Sequence, residues 1–355
     1  MQRLKPSDFY FFTSIKKSIM ALKVTLIICT YKRAESLLRL LQTVRTQTQY
    51  PGAILIIDGS PDEQTEAMLH ANPFANLVYF RVDSAQRGLT KQRNFGIQQV
   101  EAQTDIVCFL DDDVLLEPTY FEALLQTYAV YPEALGVGGY ITNETQWVPM
   151  QSNETPSNSW FVFDRWKRSE PLRNKTRRQL GLDADVPPGF IPMFSHGRSV
   201  GFLPPSGKIY PVQQFMGGVS SFRKSVFDRL QFSHYFEGYG LYEDADFTSR
   251  LSKLGPLYVN TAARLSHHHD FSGRPNAYKY GRMVVRNGWY VWRVYAPQPG
   301  WRNRVKWNLI TGVLIAIRFS NIFTASNRMD CLRETLGRLS GWLSLIVHQP
   351  KIEHS

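Results

Sequence analysis

The sequence predicts an α/β fold: a mostly parallel sheet flanked by helices, followed by a basic helical extension. Three observations carry that reading. Short unbroken apolar runs recur through residues 22–115, as expected for strands covered on both faces. Stretches of helical period lie between them, and strands alternating with helices make right-handed βαβ units. Charge is lopsided: of the net +11, +10 falls from Arg274 onward, where 13 Lys or Arg meet three acids.

In chain order, residues 23–29 (KVTLIIC) read as the first strand, closed by Thr30, Tyr31, Lys32 and Arg33. A helix follows over 35–45, with Leu37, Leu38, Leu41 and Val44 at helical spacing. Residues 53–57 form the second strand, and Asp62, after the Gly59 and Pro61 turn, helps to start the next helix. A third strand spans 77–82, a helix 90–100 and a fourth strand 106–110. Polar residues gather behind each strand: Thr30, Tyr31 and Arg33, then Asp58, then Arg87, Gly88, Arg93 and Asn94, then Asp111, Asp112 and Asp113. Any one group is explained by a helix cap or a solvated turn. Four on one rim of a sheet do not easily share that explanation.

The acidic trio weighs most. Carboxylates crowded at a strand end raise one another's pKa unless a cation neutralises them. A hard divalent ion, Mg²⁺ or Mn²⁺, is the usual remedy and typically brings a phosphate with it. Ligands of open α/β sheets sit beyond the carboxyl ends of the strands, where this trio falls. Neither a GxGxxG nor a Gly-rich loop ending in Lys-Ser/Thr occurs, so dinucleotide and P-loop binding are poorly supported.

Residues 140–214 have another texture, rich in Pro, Ser, Asn and aromatics, and read as a long irregular loop or lid. Trp147, Trp160, Phe161, Phe163 and Trp166 there either stack on sugar rings or simply pack. Glu243, Asp244 and Asp246 open a helix running through Arg250 and Leu254 and stopped by Gly255 and Pro256. Acids in a first turn are often mere dipole partners. Glu243 and Asp244, behind a glycine-marked turn, read as more than that, whereas Asp246 points elsewhere and should tolerate Asn. A short strand over 257–260 precedes His267, His268 and His269, which cannot all face one point.

Taken in order, IICTYKR (27–33), IIDGSPD (56–62), QRGLTKQRNFGI (86–97), FLDDDV (109–114), GGVSSFRKSVF (217–227), YEDADFTSRL (242–251) and LSHHHDFSGR (265–274) resemble the motifs of family 2 glycosyltransferases. The second motif is one residue shorter than the family's commoner aspartate-rich form. The resemblance implies a GT-A fold built on a Rossmann-like sheet. A catalytic domain would span 22–273, with a nucleotide-binding half at 22–115 and an acceptor-side half at 140–273. An N-terminal extension (1–21) and a basic amphipathic tail (274–355) would flank it.

The implied activity is that of a metal-dependent, inverting hexosyltransferase. It would move sugar from a nucleotide-sugar, UDP-linked first, to a hydroxyl of a glycan or lipid-linked acceptor, in polysaccharide or glycolipid synthesis. By the same resemblance Thr30, Tyr31, Arg33 and Asp58 line the nucleotide pocket, and Arg93 lies near ribose or diphosphate. Asp111 and Asp113 match the ends of the DxD motif. Asp113 would bind Mn²⁺ or Mg²⁺, while Asp111 or Asp112 faces ribose or the metal's water shell. His267, with His269 second, matches a late metal ligand. Gly217 and Gly218 would admit the donor sugar. Asp244 would be the catalytic base, and Glu243 would hold it or touch the acceptor.

Two amphipathic patterns mark the tail. Leu309, Ile310, Val313, Leu314 and Ile317 share one side, but only 11 uncharged residues separate Lys306 from Arg318, too few to span a bilayer. Leu332, Leu336, Leu339, Leu343 and Ile346 form the other stripe, with Arg333 and Arg338 off it. Basic amphipathic helices with Trp307 and Trp342 suit an anionic membrane surface, and the same stripes would also serve for packing on the catalytic domain. Cys29, Cys108 and Cys331 are scattered, which argues for buried thiols in a reducing compartment. No cleavable secretory signal is evident in 1–19, and the sequons at Asn143, Asn153 and Asn174 read as chance. The expectation is a cytoplasmic protein, peripheral on the inner face of the cell membrane. A nucleotidyltransferase making NDP-sugars would want a Gly-rich basic loop after the first strand, of which ICTYKR is a poor version. A non-enzymatic carbohydrate- or nucleic-acid-binding protein would not need Asp113 or Asp244. The tail carries no nucleic-acid motif, so no nucleic-acid partner is expected.

Overall fold

A computed structural model describes residues 22–269 and 275–352; the N-terminal extension (1–21) and the first tail residue, Arg274, lie outside them. Strands β1 (Val24–Thr30), β2 (Ala53–Asp58), β3 (Leu77–Arg81) and β4 (Ile106–Asp111) are parallel, in the order β3-β2-β1-β4. Helices α1 (Ala34–Arg45), α2 (Gln64–Ala71) and α3 (Leu89–Gln98) link them. Alternate residues of β1 serve two cores: Leu26 and Ile28 pack with Leu37 and Leu41 of α1, Ile27 with Phe95 of α3. These strands and helices lie within two residues of their expected bounds.

Three elements leave weak traces in the sequence. Strand β5 (Val114–Leu116) is short, and helix α4 (Tyr120–Val130) is buried along most of its surface, so it has little polar face to give a period. Strand β6 (Gly136–Ile141) is glycine-rich because Phe215 and Phe222 press against it: a Cβ on Gly136 or Gly138 would stand 2.9 Å from one of these rings.

The segment expected to be irregular is more ordered than its composition suggests. Strands β7 (Val148–Pro149), β8 (Trp160–Phe163) and β9 (Trp166–Ser169) form a separate antiparallel sheet, and helix α5 (Leu172–Gln179) follows. Its aromatics pack: the Phe161 ring lies 5.2 Å from Phe202, and Phe163 lies 5.9 Å from Tyr210. Strands β10 (Ile209–Val212), β11 (Val219–Arg223) and β12 (Leu257–His267) complete the nine-stranded main sheet. β11 runs antiparallel between β4 and β6, and β12 pairs with β6, β10 and β5. The strand expected to stop at Asn260 continues to His267. Its polar middle is buried and satisfied, Asn260 Nδ2 donating to the Ala123 carbonyl and to Thr127 Oγ1 of α4 at 2.7 and 3.0 Å.

Helix α6 (Glu243–Leu251) is followed by α7 (Ala277–Tyr295), α8 (Trp301–Ser320) and α9 (Arg328–Val347). α7, which the sequence reading passed over, seats the tail: Tyr290 stacks on Tyr235 at 4.0 Å, and Val291 and Val294 pack in the same cluster as Phe236 and Tyr242. α9 meets α7 backbone to backbone, for a Cβ on Gly281 would collide with the Glu334 carbonyl and one on Gly337 with the Tyr278 carbonyl. The two apolar stripes therefore differ. Ile310 of the first is buried against Leu182 and Phe194, while Leu336, Leu339, Leu343 and Ile346 of the second are exposed. No helix among the described residues is long and apolar enough to cross a membrane.

Candidate active site

The β5–β12 ladder places Val114 opposite His267, and the His268 N–H donates to the Asp113 carbonyl at 2.8 Å. Two stretches distant in sequence thereby meet at the carboxyl end of β4. Asp111, Asp113 and His267 each offer a ligand atom within 4.8 Å of the others. His267 Nε2 lies 3.2 Å from Asp113 Oδ1, and Nδ1 lies 3.0 Å from Glu144 Oε1. Burial pulls the imidazole pKa down, but hydrogen bonds to Asp113 and Glu144 outweigh it and hold the ring up to about 10. His269 stands off, with Nε2 3.4 Å from Glu144, and His268 bonds to Ser266 Oγ at 2.9 Å. Asn143 and Glu144, seen in the sequence only as part of a sequon, clamp the key histidine. Asn143 exchanges bonds of 2.8 and 2.9 Å with the His267 backbone. Only the pairing of β6 with β12 reveals that role.

The three aspartates point in different directions. The Asp111 side chain is 43% exposed, with Oδ1 3.6 Å from Arg93 Nη2. Asp112 turns inward, Oδ2 accepting from Thr30 Oγ1 at 2.7 Å and Oδ1 from Arg33 Nη1 at 3.1 Å. Burial pushes Asp112 up to about 7, against the pull of Arg33 and Thr30. Asp113 Oδ2 stands 3.6 Å from the same Arg33 nitrogen. Thr30 and Arg33 therefore tie the β1 loop to the acidic turn. Tyr31 is exposed, with the Arg87 guanidinium 5.5 Å from its ring centre. Asp58 is fully buried, accepting from Ser60 N at 2.7 Å and Tyr79 Oη at 3.0 Å, so it shapes the β2 turn. Gln92, unremarked in the sequence, braces the ends of β1 and β2, donating to the Thr30 and Ile57 carbonyls at 3.1 and 2.8 Å.

Arg93 joins this rim to α6. Buried over the Phe109 and Phe232 rings, it donates from Nη1 to Glu243 Oε1 at 2.5 Å. Burial pushes the Glu243 carboxyl up to about 8 despite the guanidinium beside it. Tyr242, at φ 70°, turns the chain into the helix, a strained conformation that persists only where neighbours over-determine it. Asp244 emerges part-buried, with Oδ2 accepting from Gly217 N at 3.1 Å and Oδ1 from Ala245 N at 2.7 Å. Glycine is required opposite: a Cβ on Gly217 would sit 2.6 Å from Glu243 Oε1, and one on Gly218 would collide with the Asp111 carboxylate. Asp246 lies on the far side, buried, accepting from Arg250 Nη2 at 2.7 Å and Nε at 3.1 Å.

Residues 25–196 match the family model of Glycosyl transferase family 2. That match covers just under half of the chain. Among relatives, the glucosyl-dolichyl phosphate glucuronosyltransferase of Haloferax volcanii is 26% identical over 175 residues, 46% of this chain and 54% of the relative. The O-antigen chain rhamnosyltransferase RfbN of Salmonella typhimurium is 28% identical over 95 residues, 27% of this chain and 29% of the relative. The chain thus spans about half the length of the first and less than a third of the second. Among solved structures, the mannosyltransferase PcManGT from Pyrobaculum calidifontis, in complex with GDP-Man and Mn²⁺, matches with a TM-score of 0.50 at 11% identity over 95% of both chains. That likeness concerns the fold, which is GT-A.

Proposed function

We propose that this protein is a metal-dependent, inverting glycosyltransferase of family 2 that moves a hexosyl group from a nucleotide-sugar, UDP-linked first, to an acceptor hydroxyl. One observation carries the reading: Asp111, Asp113 and His267 converge on a point that Arg93 couples to Glu243, the neighbour of Asp244. Two carboxylates and an imidazole suit Mn²⁺, with Mg²⁺ the second candidate. Held by these three residues, the ion would stabilise charge developing on the leaving diphosphate.

The chain's own groups do the rest. The exposed Tyr31 ring and Arg87 offer a face for the base and diphosphate, while Thr30, Arg33, Asp58 and Asp112 hold the loops that frame it. Asp244, the most accessible of the three α6 carboxylates, accepts the proton from the acceptor hydroxyl as that oxygen attacks the anomeric carbon opposite the leaving group. Glu243, locked to Arg93, keeps α6 in register with Asp111. One relative is named for glucosyl-dolichyl phosphate and another for the O-antigen chain, names that favour a lipid-linked or glycan acceptor here. The test is a screen of nucleotide-sugars for Mn²⁺-dependent thermal stabilisation and sugar release. One donor that acts only with metal is the expected result. Indifference to every donor, with Mn²⁺ and with Mg²⁺, would overturn the reading.

We further infer that 22–273 is the catalytic unit and that the tail rests on an anionic membrane, at the inner face of the cell membrane. In support, Leu336, Leu339, Leu343 and Ile346 stay exposed on α9, in a tail carrying +10. Anionic liposomes should float the protein at low salt and release it as salt screens the charges. Equal flotation with neutral liposomes, or none with either, is the contrary result.

A further inference from the structure

Between α5, the loop at 195–199 and the C-terminal helices lies a cavity of about 640 Å³, within the range of small-molecule sites. Tyr242 and Ala245, which bracket Glu243 and Asp244, form part of its lining, so it adjoins the acceptor side of the site. Its walls are of two kinds. Val284, Val291, Leu314 and Ile315 supply an apolar side. Arg173, Arg177, Arg198, Arg318 and Arg338 supply five guanidinium groups, against Glu334 as the one lining carboxylate among the described residues.

The positive charge is only partly cancelled: Arg198 pairs with Asp183 at 2.8 Å and lies 3.4 Å from Glu170, two acids set behind the lining. Glu334 is shared, at 2.6 Å each, between Arg318 and Arg338. Arg177 donates to the Leu182 and His196 carbonyls at 3.2 and 2.6 Å, and makes no ion pair among the described residues. Arg173 is exposed and likewise has no ion-pair partner among them. Four buried polar atoms on lining residues, His196 Nε2, Arg198 Nε, Trp307 Nε1 and Arg318 Nε, have no hydrogen-bond partner among the described residues. Buried donors left unpaired are costly and rare. Three of them, on Arg198, Trp307 and Arg318, are N–H donors, and together they point to a ligand rich in acceptor oxygens.

We propose that this cavity binds a phosphate or diphosphate carried on a hydrocarbon chain, the anchoring end of an amphipathic acceptor. Guanidinium groups match phosphate geometry bidentately, and the apolar wall takes the first segment of the chain. The acceptor's hydroxyl would then lie toward Asp244, which is the one step that rests on the glycosyl-transfer reading.

The probes are farnesyl phosphate, farnesol and inorganic phosphate, titrated into the full chain by calorimetry, with nucleotide binding in Mn²⁺ measured in parallel. Farnesyl phosphate should bind at least about tenfold more tightly than either of the others. Arg173→Glu should weaken it about tenfold, as loss of a charge-assisted hydrogen bond does, while melting temperature and nucleotide binding hold. Ile315→Asp provides a second variant on the apolar wall. Farnesol binding equally well removes the role of the guanidinium groups, and inorganic phosphate binding equally well marks a free-anion site; either overturns the proposal. So does tight binding indifferent to both variants. Farnesyl phosphate bound without any nucleotide would sink the transfer reading and leave the cavity site standing; nucleotide bound without farnesyl phosphate would do the reverse.

Discussion

Asp244→Asn should leave nucleotide-sugar binding intact and lower transfer by about 10² or more, the scale of general-base loss. An amide cannot take the acceptor's proton. It can still accept one of the two bonds the carboxylate accepts, from Gly217 N and Ala245 N, so the turn should survive. Asp246→Asn is the comparison, expected to tolerate the change far better in transfer but not in stability. Its carboxylate is buried against Arg250, whose side chain is 9% exposed, and removing that charge leaves a buried guanidinium without its counter-charge, though still bonded to the Gln231 carbonyl. Transfer per folded molecule should persist while stability falls by about 3–5 kcal/mol, read by urea denaturation. Near-normal transfer by Asp244→Asn, or lost donor binding in place of lost turnover, would put the base elsewhere.

Asp113→Ala should abolish metal-dependent nucleotide binding in calorimetry. Its carboxylate is 7% exposed and faces both His267 and Arg33, so little else can replace it. His269→Ala should retain that binding, because His269 faces Glu144 and not the aspartates. The pair of variants separates a single ion position from a diffuse acidic surface. Nucleotide binding that is the same in Asp113→Ala and in the parent chain, with and without chelator, would refute the assignment of Asp113.

Much of this arrangement is written locally. Runs such as 23–29 and 106–110 are apolar throughout and stop abruptly at polar residues, so strands, sheet and the rim that gathers Thr30, Asp58 and Asp111 follow from neighbours in sequence. Helix α4 and strand β6 lack such contrast, one being buried along most of its surface and the other built of glycines that make room for Phe215 and Phe222. The period of the second tail stripe marked an apolar face without saying what covers it. Close backbone contact at Gly281 and Gly337 turned α9 so that its leucines face outward.

Residue types at the site were legible from the chain alone: crowded carboxylates at a strand end, acids opening a helix, histidines near the end of the last strand. Their directions were not. Three adjacent aspartates have the same chemistry, and only the bonds of Thr30 and Arg33 to Asp112 decide which one turns inward. Three adjacent histidines are equivalent until β12 pairs with β5 and sets His267 beside Asp113. Glu144 gains its place from the pairing of β12 with β6. Burial and composition are carried by the local chain, whereas orientation depends on the register between strands far apart in sequence, which only the folded sheet supplies.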